Sequence, residues 1–105
     1  MRAISIRQPY VEAILQGKKK IEYRSRKTNI RERVYLYASA KPGEPCHGLV
    51  ADGLPTGVIV GTVDIVDCTG VEGDYEIHLA NPNRLDNHLK AKNQPQPMFW
   101  RPQFK

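Results

Sequence analysis

The sequence has no apolar run near the roughly 20 residues that a membrane-spanning helix needs. Its N-terminus, "MRAISIRQPY", carries an arginine inside its only short apolar patch and no small-residue cleavage site. Neither a membrane span nor a secretion signal is expected. Cysteine is scarce: Cys46 and Cys68 stand alone, with no pattern around them, as reduced thiols in a cytoplasmic protein would. Cys46, His47, Cys68, His78 and His88 lack the paired spacing of a zinc site, so neither a metal nor a cofactor is expected. Adjacent Cys46 and His47 also lack an orienting third group, which argues against a cysteine nucleophile. Internal repeats and low-complexity tracts are absent too. What is present is an ordinary globular mixture, 40% hydrophobic and 26% charged over 105 residues, suited to one domain (1–105) around one core.

Acid is scarce in one part only. Residues 1–41 hold eleven Lys or Arg against Glu12, Glu22 and Glu32, a balance of +8; the remainder is −3, and the whole is +5. A basic half on a near-neutral body is the footprint of a protein that meets polyanions, although a charge run can also be no more than a solubilising surface.

Local periodicity predicts an α+β chain. Ala3–Ile6 alternates as a short strand. Pro9 suits a first helical turn, Val11, Ile14 and Leu15 follow at helical spacing, and Gly17 sits where a left-handed cap is wanted, giving a helix over about 9–16. "KIEYRSR" switches to period two, with Ile21 and Tyr23 on one face and Lys20, Glu22, Arg24 and Arg26 on the other. "RVYLYAS" reads as a strand, 40–56 as a Pro/Gly-rich loop, and "GVIVGTVDIVDC" as a central strand with a bulge or bend at Gly61. "DYEIHLA" reads as a further short strand and "NPNRL" as a turn. The tail "NQPQPMFWRPQF" is extended and broken by prolines, with Phe99, Trp100 and Phe104 expected to bury. Five or so strands this apolar on both faces imply a curled sheet closing into a small barrel, with one or two short helices.

The stretch "GKKKIEYRSR" places one acid, Glu22, among five cations. Lys19 lies in the turn after the helix, and Glu22 and Arg24 share a strand face, so the three heads can converge on one cleft. Lys18 and Lys20 beside Lys19 would favour its neutral amine, the usual route to an activated nucleophile. Cationic surroundings keep Glu22 ionised, which makes it an acceptor for an exocyclic amino group and a poor general acid. The plainer alternative is an exposed ion pair worth under about 1 kcal/mol.

These residues resemble the start of the ASCH domain, a branch of the PUA-like superfamily, whose motif G-x-K-x-x-E-x-R is met at Gly17, Lys19, Glu22 and Arg24. "RQPY", "VYLYAS", "LPTGVIVGTVDIVDC", "YEIHLANPNRL" and "PQPMFWRP" look like further blocks of small bacterial ASCH proteins, in the same order. The resemblance implies a PUA-like barrel with a basic cleft where the first helix meets the barrel, and RNA or a modified nucleoside or nucleotide as the partner. The binding residues would be Arg7, Gln8, Lys19, Glu22, Arg24 and Ser39. Tyr10, Tyr75, Phe99 and Trp100 are available for base stacking, although Tyr10 can equally pack on Ile14, and Phe99 and Trp100 can plug the barrel end. Some small ASCH members are amidohydrolases acting on N4-acetylcytidine through a Lys, a Thr three residues later and a distant Glu. Here Lys19 matches, the Thr position holds Glu22, and Glu72, Asp74 and Glu76 are candidates for the distant acid by region only. A metal-independent ribonuclease using Glu22 with Lys19 and Arg24 is a second enzymatic alternative. A protein adaptor using the aromatic tail around Trp100 is a third possibility.

Overall fold

The computed structural model describes residues 1–104 as one six-stranded sheet and one short helix. In chain order the elements are β1 (Ala3–Arg7), α1 (Tyr10–Leu15), β2 (Ile21–Arg24), β3 (Arg33–Ser39), β4 (Val58–Val71), β5 (Asp74–Leu89) and β6 (Phe99–Trp100). The spatial order is β2-β5-β4-β3-β1-β6. Only β1 and β3 run parallel, Ala3 opposite Tyr35 and Arg7 opposite Ser39; every other pair is antiparallel.

Period-two apolar patterning decides which face is the core. Ile4 and Ile6 of β1, Val34 and Leu36 of β3, and Val63 of β4 are buried, and α1 lays Val11 and Ile14 across them. Each such side chain contributes about 1.5–3 kcal/mol relative to solvent exposure. A smaller cluster of Ala3, Tyr37, Ile59 and Trp100 covers the other face where β1, β3, β4 and β6 meet. Trp100 is therefore buried and Phe99 half-buried, whereas Phe104, expected inside, is 40% exposed and only leans its ring edge-on against Tyr35.

Two expectations need correction. "NPNRL" is not a turn, because β5 runs unbroken from Asp74 to Leu89. The register shifts between the Thr62–Asn83 and Asp64–Ala80 pairs, leaving Asn81 and Pro82 opposite the single residue Val63. That bulge is where a proline without a ladder donor is tolerated. Asn81 takes φ +53, and its carbonyl accepts from Arg33 while its amide donates to Asp64. Nor does a backbone ladder close the sheet into a barrel. Among the described residues β2 and β6 are its two ends, and the link across is a side chain, Arg24 Nη2 donating to the Ser5 carbonyl at 2.6 Å. The curl brings the edges together and leaves a seam between them.

One ion pair fixes α1 to the sheet. Arg84 of β5 donates both terminal nitrogens to Glu12, at 2.8 and 2.7 Å. That bidentate hydrogen bonding holds the Glu12 carboxyl below its ordinary value of 4.5 against the opposing effect of burial, with Gln16 assisting. A carboxyl lowered in the folded state stabilises the fold above its unfolded value and loses that contribution as pH falls through the folded one. Arg84→Met should therefore lower stability by about 1–2 kcal/mol at pH 7. In urea titrations the gap to the parent protein should close below about pH 4; a gap unchanged at pH 3 would refute the ionic origin.

Candidate nucleic-acid interface

The site is built from the end of α1. Gly17, at φ +77, turns the chain out of the helix, and the amides of Lys18 and Lys19 both donate to the Ala13 carbonyl, at 2.9 and 3.1 Å. This capped turn sets the start of the Lys19 side chain. Its Nζ donates to the Ile21 carbonyl at 2.5 Å, stands 3.5 Å from Glu22 Oε1, and lies within cation–π range of the Tyr10 and Tyr23 rings. Arg24 Nε donates to Glu22 Oε2 at 2.9 Å. Side-chain exposures of 12%, 10% and 20% for Lys19, Glu22 and Arg24 rule out a freely solvated ion pair. Burying such charges is tolerated only with added hydrogen bonds, which the Ile21 and Ser5 carbonyls supply.

β2 is inverted relative to ordinary patterning. Tyr23 is 60% exposed, whereas Glu22 is buried and lies opposite fully buried Ile77 of β5. The charged face of β2 thus looks into the seam, and a hollow of about 520 Å³ opens there. Glu22 and Arg24 line one side; Ser5 and Arg7 of β1 with Ser39 of β3 line the other, and Lys41 and the tail residues Pro97 and Met98 complete it. Arg7 and Lys41 make no side-chain hydrogen bond or ion pair among the described residues. A carboxylate offers about four lone-pair sites. Glu22 uses one for Arg24 and approaches Lys19 with another, leaving two unused by these partners.

A family-level match accompanies this geometry: the model of the ASCH domain matches residues 4–94. This chain belongs to the ASCH domain family. The ASCH fold also appears in the crystal structure of a single-substitution mutant of ZmASCH from Zymomonas mobilis, with a TM-score of 0.69 and 14% identity over 94% of this chain and 87% of that one. No curated protein matches.

Within this ASCH domain, Arg7, Lys19, Glu22, Arg24 and Ser39 gather at the seam, with Tyr10 between the hollow and a neighbouring one. Tyr10 does not simply pack on Ile14. Its hydroxyl accepts from the Glu44 amide at 2.8 Å, and a Cβ on Gly43 would lie 2.5 Å from its ring, so the 40–45 loop lies against it. Three other residues serve elsewhere. Gln8 is fully buried: its amide donates to the Pro55 carbonyl, and its oxygen accepts from the Glu12 amide, capping a helix whose N-cap, Pro9, has no side-chain group to offer. Trp100, edge-on to Tyr37 and nearly buried, donates to Ser5 Oγ at 2.9 Å and so supports the seam hollow from behind; the little of it that is open borders a separate hollow with Lys90 and Lys92. Tyr75 lies opposite Arg24 on β5 but lines none of these hollows, its hydroxyl standing 3.5 Å from Glu72. Glu72, Asp74 and Glu76 belong to the β4–β5 hairpin and line neither hollow.

Sequence reasoning missed Ser5, Lys41, Pro97, Met98 and Tyr23. Ser5 carried a signal, since period two puts it on the same face of β1 as Arg7. Pro97 and Met98 carried none, because the antiparallel pairing of β6 with β1 brings them in from the far end of the chain.

Proposed function

We propose that the seam hollow binds a nucleotide of single-stranded RNA, or a modified nucleoside, with Glu22 accepting from the amino edge of the base. Arg7 and Lys41 hold the adjoining phosphate, and Ser39 hydrogen-bonds to sugar or base. One observation carries this reading: a buried carboxylate with acceptor capacity left over, beside two cations that have no protein partner among the described residues. The +8 balance of residues 1–41 supports it. So does membership of the ASCH family, whose PUA-like relatives generally bind RNA.

Fluorescence anisotropy of labelled oligoribonucleotides at rising salt tests it. Log affinity should fall linearly with log salt, and Arg7→Ala and Lys41→Ala should each flatten the slope by about 0.7, the value for one phosphate on a single strand. Binding indifferent to salt, or none to any RNA, removes the proposal. The hydrolase reading has less support, because Lys19 is engaged with the Ile21 carbonyl and Glu22, and Glu72, Asp74 and Glu76 line neither hollow. Turnover of N4-acetylcytidine that disappears in Lys19→Ala would reverse that preference.

A further inference from the structure

The seam hollow does not stand alone. A hollow of about 440 Å³ adjoins it, sharing Tyr10 and Glu22 as a common wall and lined otherwise by Lys19, Tyr23, Cys46 and His47. On its other side a hollow of about 390 Å³ shares Arg24, Pro97 and Met98 and adds Ser25 and Arg26. Each is of a size that holds a small ligand. The three follow β2 in chain order, and their chemistry changes along the way. The first has two aromatic rings, with Tyr23 largely exposed; the second has the buried acid with two free cations; the third has Arg26, exposed and without an ion-pair partner among the described residues.

We infer that these hollows form one groove for a single-stranded RNA segment of three nucleotides, with the base bound at Glu22 in the middle. This rests on the function proposed above and extends it from one nucleotide to an oriented strand. Number agrees, since three hollows of nucleotide size stand in a row along β2 and the residues that follow it. Chemistry agrees as well. A flanking base stacks on Tyr23 and Tyr10, where a π-face of any base will do, while the phosphate beyond the central nucleotide reaches Arg26. A duplex does not fit, because its amino edges are engaged in pairing and cannot turn toward Glu22.

Calorimetry with cytidine 5′-monophosphate and with oligocytidylates of two, three, four and six residues tests the groove. Affinity should climb with each added nucleotide to a plateau at three. Tyr23→Ala and Arg26→Gln, both at the surface, should each weaken the trinucleotide about tenfold more than the mononucleotide. A mononucleotide that binds as tightly as the trinucleotide overturns the groove and leaves the single-nucleotide function standing. Absence of binding at every length overturns both. Equal affinity for a duplex of the same length overturns the groove.

Discussion

Glu22→Gln is expected to bind oligoribonucleotides no more weakly than the parent protein and to distinguish them poorly. Removing the carboxylate leaves Lys19 and Arg24 as uncompensated cations beside Arg7 and Lys41, so attraction to phosphate rises and the salt dependence steepens. Selectivity moves the other way. The ionised carboxylate only accepts, and so favours bases with an exocyclic amine, whereas an amide presents a donor to uracil as readily as an acceptor to cytosine. A base contact of this kind is worth about 1–3 kcal/mol of discrimination, so the affinity ratio of oligocytidylate to oligouridylate should fall by about tenfold or more. Stability should fall too, by about 2 kcal/mol, because two cations at 12% and 20% side-chain exposure lose their common partner. Parallel anisotropy titrations with the two oligomers, and a thermal melt, give all three readings. An unchanged ratio would mean that Glu22 does not face the base and serves only to hold Lys19 and Arg24 in place.

That prediction depends on an orientation the sequence could not show. The period-two run in β2 was legible, and so was the sharing of one face by Glu22 and Arg24. Which face turns inward was not. Ordinary patterning buries Ile21 and Tyr23, but the structure buries Glu22 and leaves Tyr23 60% exposed. Local preference and tertiary placement disagree here, as happens where function rather than packing selects the residue. Elements governed by short-range rules were read well: α1 gives way just after Leu15 to a left-handed turn at Gly17, 33–39 is a strand, and the ladder shifts at Gly61. β5 was misread because Asn-Pro-Asn is turn chemistry that a bulge can absorb within a strand. The clamp between Glu12 and Arg84 spans 72 positions and left no local mark. Gln8 and Trp100 look like ligand residues by type, and both turn out to be held by the fold's own hydrogen bonds. The far wall of the hollow depends wholly on how the sheet curls, which is a property of long-range pairing.

Gly61→Val should be strongly destabilising although it lies outside the site. Gly61 has no positive φ, so its absence of a side chain is not needed for a left-handed turn. It is needed for room. A Cβ there would lie 2.6 Å from Leu15 Cδ2 and 2.7 Å from the Asn83 carbonyl oxygen. The leucine tip can rotate away. The Asn83 oxygen belongs to the backbone of β5 and can retreat only if the β4–β5 ladder shifts at its bulge. Replacing glycine gains about 0.4–1 kcal/mol by restricting the unfolded chain, but overpacking a filled site costs about 1–3 kcal/mol for small additions, and valine adds two further methyls. The clash wins. A net loss of about 3 kcal/mol lowers the melting temperature of a chain this size by about 12 °C or more. Gly53→Ala separates space from backbone strain, since Gly53 has φ +80 with nothing within 4 Å of a built Cβ and should lose only about 1–2 kcal/mol through the left-handed conformation. Should Gly61→Val melt no lower than Gly53→Ala, the close approach of α1 and β5 over β4 is not holding the helix down. The turn at Gly17 that aims Lys19 into the seam would then need another anchor, and the Glu12–Arg84 clamp is one.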